Sequence, residues 1–307
     1  MANILDDICK RLDGANLLSE EGQVFGYVDS GSYALNKIIS GKYDAKTVFL
    51  THAFVGAQKK GYYTVMVDNE HAYSPSFANI LGVDSEKLIY TTPETMEGCF
   101  EAIENSILAI REHDKDTPIV IGYDSIGVSP TRKEMDGELG ANGEISGALR
   151  AKVAGQCLRR INPLLRKHKA ALIIINQVRS KVGLVFGDPR TKAGGGKALL
   201  YYCAVSLETA SAKAGIMFDE LKNPTGIKGT VKCVKNKVTV PYQDCEFKLE
   251  YNKGLSQDYG LTTSAYRNGV VTSPAKGWYS LDDGKTKSRA ADLTKILSTK
   301  IEKGELT

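Results

Sequence analysis

Hydrophobic positions in the first two thirds of the chain alternate between strand-like and helix-like spacing. Continuous apolar runs that are typical of buried strands occur at residues 62–67, 118–123 and 171–175. Apolar side chains recur at helical spacing in residues 4–12, 47–59, 96–111 and 149–165. Strands of this kind separated by helices predict the α/β class, with a mostly parallel central sheet that helices flank on both faces.

The pattern changes after Leu199. Shorter predicted strands at residues 204–207, 229–234 and 246–251 follow on short connections, which indicates an antiparallel extension of the sheet. From about Gly254 the chain becomes polar, with one further amphipathic helix at residues 290–301. We therefore expect an N-terminal helix and linker at residues 1–25, a core at 26–253 and a small C-terminal domain at 254–307.

Composition narrows the class of protein. The chain has 307 residues, of which 42% are hydrophobic and 25% are charged, as expected for a soluble globular protein. No apolar run has the length of a bilayer and the first residues lack a signal pattern, so we expect a cytoplasmic protein without a membrane partner. The six cysteines lie far apart without a CxxC pair, which predicts buried, reduced thiols rather than a metal centre.

The charge is distributed unevenly. The formal net charge of +4 says little, but residues 146–200 contain twelve basic residues and one acidic residue, Asp188. Such a local excess predicts a surface that binds a polyanion. A solvated basic face explains the same composition equally well, so the charge alone does not decide between them.

Acidic residues follow two of the predicted strands. The strand at 118–123 ends in Asp124-Ser125, an arrangement that delivers a carboxylate to Mg²⁺ at the carboxyl edge of a sheet. The strand at 62–67 is followed by Glu70, which could polarise an attacking water molecule. Acids at strand ends also cap helices, so each is weak by itself, but two of them on one parallel sheet indicate a nucleotide site.

The third strand leads into an unusual glycine-rich stretch. Asn176-Gln177 precede it, and it extends to Lys197 with the glycines Gly183, Gly187, Gly194, Gly195 and Gly196. Its basic residues are Arg179, Lys181, Arg190, Lys192 and Lys197. Long irregular loops inside a compact domain are usually functional, and basic side chains with exposed amides suit a phosphate backbone. Gln177, at the base of the loop, could sense a γ-phosphate.

Several segments together resemble a known family. They are Asp68-Asn69-Glu70-His71-Ala72, Tyr123-Asp124-Ser125, residues 134–140, Ile175-Asn176-Gln177-Val178-Arg179, residues 185–189 and Val234-Lys235-Asn236-Lys237. In their order and approximate spacing they resemble the motifs of RecA-type DNA-strand-exchange recombinases, in the form that T4-like phages carry. The resemblance covers nearly the whole chain, and the phage-like form implies the cytoplasm of an infected bacterial cell.

The resemblance implies a role for each matching residue. Glu70 would be the catalytic carboxylate, Gln177 the γ-phosphate sensor, and Asp124 with Ser125 the Mg²⁺-side end of the ATP site. The other implied ATP contacts are Lys46 and Thr47 on phosphate and Mg²⁺, Phe77 against adenine, and Lys235 and Lys237 reaching the ATP of a neighbouring subunit. The implied DNA contacts are Lys152, Arg159, Arg179, Lys181, Gly195, Gly196 and Lys197. The helix at residues 5–12 would dock on the adjacent protomer. Arg159 also fits an ordinary surface charge, and Phe77 also fits plain core.

The phosphate-binding loop departs from the family pattern. Residues 41–47 read Gly-Lys-Tyr-Asp-Ala-Lys-Thr, which is one residue short, has Ala45 at the second glycine and lacks a preceding apolar strand. Either a segment of roughly one to two dozen residues is omitted between Asp44 and Ala45, or the protein has lost the loop and tight ATP binding. The intact motifs on both sides favour omission.

Three functions fit these observations. The first is an ATP- and Mg²⁺-dependent recombination and repair protein that forms a helical filament on single-stranded DNA and pairs it with homologous double-stranded DNA. The second is a non-hydrolysing scaffold that coats DNA and assembles with itself, with a degenerate ATP site. The third is a hexameric helicase motor, which the loop after Gln177 and the Lys235-Asn236-Lys237 segment disfavour.

Overall fold

A computed structural model describes most of the chain in two compact units. The described residues are 2–11, 15–17, 45–137, 145–180, 190–192, 196–211, 213–237, 241–256, 258–267, 269–282, 284–303 and 305. The contacts within the chain divide it into Met1–Ala204 and Val205–Thr307. Each unit is described in turn.

The first unit alternates helices and strands. Its helices are α1 (Ala2–Arg11), α2 (Ala45–Lys59), α3 (Pro75–Ile80), α4 (Met96–His113), α5 (Arg132–Met135), α6 (Ile145–Lys167) and α7 (Gly196–Tyr202), with a 3₁₀ turn at Ser85–Lys87. Its strands are β1 (Ala15–Leu17), β2 (Tyr63–Asp68), β3 (Leu88–Thr91), β4 (Ile119–Asp124), β5 (Ala170–Ile174), β6 (Val178–Ser180) and β7 (Arg190–Lys192).

Five of these strands form the central sheet of the described first unit. Their order is β1-β3-β2-β4-β5, in which β3, β2, β4 and β5 are parallel and β1 pairs antiparallel with β3. Every residue of β2 is buried. Val65 and Val67 pack into the hydrophobic cluster on one face, and Met66 packs into the cluster on the other. Apolar residues on both faces are what a parallel sheet between helices requires.

Helices cover the two faces of the sheet. The cluster that contains Val65 also includes buried residues of α1, α4 and α6, and the cluster that contains Met66 includes Leu50 and Phe54 of α2. A Cβ at Gly122 of β4 would lie 2.7 Å from Leu50 and 2.8 Å from Phe54, and both side chains are fully buried. Glycine at this position therefore lets α2 approach β4 closely.

The N-terminal helix packs on the core of its own chain. Leu5 and Ile8 of α1 are 2% and 0% exposed and belong to the same hydrophobic cluster as α4. Arg11 pairs with Glu112, and His113 Nε2 lies 3.1 Å from a carboxylate oxygen of Asp7. The predicted docking of this helix on an adjacent protomer concerns a second copy of the chain and stays a prediction.

The second unit is mostly antiparallel. Its strands are β8 (Val205–Ala210), β9 (Ile216–Phe218), β10 (Pro224–Asn236), β11 (Asp244–Glu250), β12 (Gly254–Leu255), β13 (Thr272–Ala275) and β14 (Trp278–Ser280), and its helices are α8 (Leu261–Arg267), α9 (Ala290–Glu302) and a 3₁₀ turn at Lys213–Gly215. The main sheet has the order β12-β11-β10-β8, and β9 also pairs with β10. A small separate cluster joins Ala265, Val271, Leu293 and Leu297.

The predicted fold class is confirmed, with differences in detail. The parallel sheet, the flanking helices, the N-terminal helix and the antiparallel strands are present. Strands β1 and β3 were not predicted, and the stretch after Gln177, predicted to be irregular, contains the paired strands β6 and β7 and the start of α7. The contacts group the antiparallel sheet with the C-terminal residues, whereas the sequence pattern grouped it with the core. The predicted boundaries at 25/26 and 253/254 stay predictions.

The six cysteines are all free thiols, in differing surroundings. Cys9 and Cys99 are buried as predicted, and burial raises the pKa of Cys99 to about 12. Cys245 is exposed and the remaining three are half-buried, so the prediction of burial is wrong for Cys245. Its strand β11 is amphipathic, with Phe247 and Leu249 on the buried side.

Replacing Ile8 tests the docking of α1. Ile8→Ala should lower the free energy of unfolding by about 2–5 kcal/mol, because it leaves a cavity in a closed core. Ile4→Ala, on the same helix at 37% exposure, is the matched control and should change it by less than about 0.5 kcal/mol. Urea unfolding of both variants measures the difference, and equal effects would show that α1 does not cover this core.

Candidate active site

The candidate site lies where β2 and β4 end. The register of the two parallel strands places Asp68 directly beside Asp124. Beyond the strands, the amides of Asn69 and Glu70 donate to the carbonyl oxygen of Asp124 at 2.7 and 3.3 Å. The loops that carry Glu70 and Ser125 therefore leave the sheet together at its carboxyl edge, where open α/β sheets bind their ligands.

Helix α2 brings a hydroxyl to the same edge. Thr47 Oγ1 donates a hydrogen bond to Asp124 Oδ2 at 2.7 Å, and Asp124 is only 5% exposed. The close packing of α2 on Gly122 holds Thr47 at this distance, since the contact lies one turn along the helix. The side chain of Lys46 lies outside the described residues, although its backbone belongs to α2.

Glu70 is held by two side chains from neighbouring strand ends. Ser125, which follows β4 and is fully buried, donates a hydrogen bond to Glu70 Oε1. Gln177, just beyond β5, donates from Nε2 to the same Oε1 at 2.6 Å. Glu70 itself is exposed. Both described hydrogen bonds of this carboxylate use Oε1, so Oε2 is turned toward neither Ser125 nor Gln177.

A buried carboxylate organises the loop that carries Glu70. Asp68 is 1% exposed and accepts hydrogen bonds from the amides of Glu70, Ala72 and Tyr73 at 2.9–3.0 Å. The hydroxyl of Tyr90 on β3 donates to the same carboxylate at 2.8 Å. Four donors compensate for the burial of the negative charge. Asp68 therefore fixes the backbone on both sides of Glu70.

The oxygen atoms of Thr47 and Asp124 fit a hard divalent cation. Mg²⁺ prefers hydroxyl, carboxylate and water oxygens, and it usually takes one or two protein ligands with the rest from phosphate and water. Among the described residues, no group of three or more His, Cys, Asp or Glu side chains could hold a metal ion. A site built on Thr47 and Asp124 therefore suits a metal that arrives with a phosphate ligand.

Phe77 lies beside this edge on α3. The helix begins after Ser74, whose side chain accepts a hydrogen bond from the amide of Phe77, and Pro75 occupies its first turn. Phe77 is half-buried and lies outside the buried core, whereas its neighbour Ala78 is part of that core. The assignment of Phe77 to adenine stays a prediction.

Helix α6 presents two kinds of basic side chain. Arg150 pairs with Glu134 at 2.9 Å, and Arg160 pairs with Glu104 at 2.9 Å. Lys152 and Arg159 are exposed and form no ion pair with another described residue. They are seven residues apart, which is two helical turns, and therefore share one face. These two predicted DNA contacts are thus available to an external anion.

The remaining predicted DNA contacts fall partly outside the described residues. Lys181 and Gly195 are not described, and for Arg179, Gly196 and Lys197 only the backbone is. Arg179 lies on β6, where it pairs with Thr191 of β7. Gly196 and Lys197 begin α7. Lys235 and Lys237 belong to the second unit, where Lys235 is half-buried on β10 opposite Ser206 and Lys237 is exposed.

Two site residues were missed by sequence reasoning. Asp68 was read only as part of a motif, and Tyr90 lies on a strand that was not predicted. The available signal was the acid at the last position of a wholly apolar strand, since a charge there must be paired. No local pattern identifies Tyr90 as its partner, because the two residues are 22 positions apart.

Carboxylate, hydroxyl and amide groups of this chain meet at the carboxyl edge of its parallel sheet. This arrangement is typical of α/β proteins that bind a ligand at that edge. Residues 29–256 match the family described as the RecA N-terminal domain. The chain is 35% identical over 269 residues to Protein RecA of Nocardioides sp., covering 83% of this chain and 72% of the relative. It is 35% identical over 250 residues to Protein RecA of Kineococcus radiotolerans, covering 80% and 68%. The chain therefore belongs to the RecA family of recombination proteins.

A solved structure is also similar. The RadB recombinase superposes with a TM-score of 0.45 at 15% sequence identity, covering 75% of this chain and 98% of the other. Family membership rests on the sequence matches. The relatives named above are bacterial, so they give no support to the predicted kinship with T4-like phages. Within the described ranges, no helix is both long and apolar enough to cross a bilayer.

Removing the hydroxyl of Tyr90 tests the role of Asp68. Tyr90→Phe should lower the free energy of unfolding by about 1.5–3 kcal/mol, because it removes a buried hydrogen bond to a charged group. Tyr62→Phe is the control, since no hydrogen bond joins its hydroxyl to another described residue, and it should stay within about 0.5 kcal/mol. Denaturant unfolding compares the two, and a neutral Tyr90→Phe would mean that the amides alone satisfy Asp68.

Proposed function

We propose that this protein is an ATP-dependent recombinase that forms a filament on single-stranded DNA and pairs it with homologous double-stranded DNA. The observation that carries the proposal is the convergence of Thr47, Asp124, Glu70, Ser125 and Gln177 on one edge of the sheet. A metal-binding pair beside a held carboxylate is the arrangement that nucleotide hydrolysis needs. Because the chain belongs to a family of recombination proteins, we expect ATP hydrolysis to be coupled to recombination.

The proposed reaction is hydrolysis of ATP at the γ-phosphate. Oε2 of Glu70 accepts a proton from a water molecule while the water oxygen bonds to the γ-phosphorus. The bond from that phosphorus to the β–γ bridging oxygen breaks, and ADP leaves with the electron pair. Thr47 and Asp124 would hold Mg²⁺, which when bound neutralises phosphate charge. Lys46 would contact phosphate, and Phe77 would lie against adenine.

Gln177 would couple the nucleotide to DNA. Its amide binds Glu70 in the described structure and its backbone leads directly into β6. A γ-phosphate that attracts the same amide competes with Glu70, so nucleotide binding would shift Gln177 and the segment that follows it. Because β6 begins at Val178, the shift would reach the basic loop at once. This supports a DNA grip that depends on ATP.

DNA would be held by basic groups from two places. Lys152 and Arg159 project from α6, and the loop contributes Arg179, Lys181, Gly195, Gly196 and Lys197. Such contacts bind the phosphate backbone without reading sequence, as a recombinase requires. Lys235 and Lys237 would reach the ATP of a neighbouring protomer, and α1 would dock between protomers of the helical filament. The chain would consist of an oligomerisation segment at residues 1–25, a core at 26–253 and a C-terminal domain at 254–307. The protein would act in the bacterial cytoplasm.

A non-hydrolysing DNA-coating scaffold is the second candidate. The reading of residues 41–47 favours it, because this segment lacks the glycine amides that wrap a phosphate. An observation on β5 counts in the other direction. Among the described residues this apolar strand pairs with β4 alone and is only half-buried, although continuous apolar strands usually lie inside a sheet. That pattern supports a missing strand beyond β5 with the rest of the ATP site intact.

Glu70→Gln separates the two candidates. If the protein hydrolyses ATP, the variant should lose at least about 100-fold in turnover, because the amide cannot take the proton. The measurement is ATP hydrolysis with and without single-stranded DNA. Glu94→Gln, an exposed acid on the neighbouring loop, is the control and should keep wild-type turnover. DNA binding by the wild-type chain without turnover would establish the scaffold instead.

Arg159→Ala tests the proposed DNA face of α6. It should reduce the slope of log affinity against log salt by about 1, because one phosphate contact is lost. Arg160→Ala removes a neighbouring charge that Glu104 already pairs, so its slope should match the wild type. Fluorescence anisotropy with labelled single-stranded DNA gives both slopes. Equal slopes for the two variants would contradict a DNA contact at Arg159.

A further inference from the structure

The hydroxyl of Tyr73 is a buried polar group that the described residues leave unsatisfied. Tyr73 is 8% exposed, and its ring packs edge-on against Phe54 with centroids 6.5 Å apart. Its hydroxyl oxygen is shielded from solvent and has no hydrogen-bond partner among the described residues. Leaving such a group unpaired costs about 1–3 kcal/mol. Buried polar groups are usually paired with protein or ordered water, so this hydroxyl has the capacity for a further hydrogen bond, to a water molecule or a bound group.

Tyr73 lies beside the oxygen groups of the candidate active site, and its amide donates a hydrogen bond to Asp68 Oδ2 at 2.9 Å. Burial raises the pKa of Tyr73 far above its usual value, the Thr51 hydroxyl lowers it in part, and the carboxylates of Asp68 and Asp124 raise it further. Thr51 donates its own proton to the carbonyl oxygen of Thr47, one turn earlier on α2. The phenol therefore lies close to the turn of α2 that carries Thr47 and to Asp124.

We propose that Tyr73 is a positioning residue for the divalent metal, and that its hydroxyl hydrogen-bonds a water ligand of the metal held by Thr47 and Asp124. The proposal rests on the proposed function, because it takes these two residues as the metal ligands. Mg²⁺ gives up its water shell reluctantly and keeps several waters when two protein groups bind it. A buried hydroxyl beside the ligands satisfies one such water, and groups of this kind orient the metal as its ligands do.

A structural role for the hydroxyl makes the opposite prediction about stability. If the hydroxyl had a partner in the metal-free protein, its removal would break that hydrogen bond and destabilise the fold. If it has none, Tyr73→Phe removes an unsatisfied group while the ring keeps its contact with Phe54. The metal-free variant should then be as stable as the wild type or more stable. Metal affinity should fall at the same time, which a purely structural role would not produce.

The test is binding of Mn²⁺ to the full-length protein in the presence of a non-hydrolysable ATP analogue, which supplies the phosphate ligands, followed by electron paramagnetic resonance of the protein-bound ion. Tyr73→Phe should raise the Mn²⁺ dissociation constant about tenfold, the lower end of the range for removing an outer-shell partner. Thermal unfolding in the absence of metal should show an unchanged or higher midpoint. Tyr63→Phe is the matched control, since Tyr63 is also buried on this segment but lies at the opposite end of β2, near Asp114. Its Mn²⁺ affinity should equal that of the wild type.

Each outcome decides for or against the role of Tyr73. A Mn²⁺ affinity of Tyr73→Phe within twofold of the wild type overturns the proposal, and so does a parallel loss of metal affinity and metal-free stability. A wild-type chain that binds no Mn²⁺ overturns both this proposal and the metal site of the proposed function. Wild-type binding that Tyr73→Phe weakens, without any ATP turnover, would reject the ATPase while supporting Tyr73 as a metal-positioning residue.

Discussion

The parallel pairing of β2 with β4 is the constraint on which the candidate site depends. Its register places Asp68 beside Asp124, and the amides of Asn69 and Glu70, in the loop after β2, both donate to the carbonyl oxygen of Asp124. A slip of one residue would turn every side chain of β2 to the other face, so that Val65 and Val67 would face the cluster that Met66 now fills. Because the two clusters are packed around different side chains, packing on both faces of β2 favours this register and so places the polar groups at this edge.

Polar groups at this edge differ in how far they are buried. Asp68, Asp124 and Tyr90 are all buried, Thr47 is half-buried, and Glu70 is exposed. A buried charge is tolerated because four donors surround Asp68. The exposed Glu70 carboxylate is thus held through the buried residues Asp68 and Ser125, and its Oε2 accepts from neither Ser125 nor Gln177.

The basic side chains of α6 fall into two groups, those with an acidic partner and those without one. Arg150 and Arg160 each have an acidic partner within the first unit, whereas Lys152 and Arg159 have none among the described residues. The Arg160 side chain is 73% exposed, and exposed ion pairs add little to stability, so the Arg160–Glu104 pair contributes little to folding. The charges of Arg150 and Arg160 are thus balanced by acids, whereas Lys152 and Arg159 present their positive charges on one face of the helix.

The sequence by itself determined the α/β class, most helices and strands, the edge at which Glu70, Asp124 and Gln177 meet, and the family. These follow from local periodicity and from short motifs, which record burial and backbone geometry residue by residue. Only the tertiary structure decided which groups touch: Thr47 with Asp124 across 77 positions, and Gln177 with Glu70 across 107. It also decided that β3 borders β2, that Asp68 is buried against Tyr90, and that the Tyr73 hydroxyl has no described partner. A linear pattern predicts that a side chain is buried, but it does not identify the side chain's partner. The partner depends on how distant segments pack, and this is decided only in the folded chain.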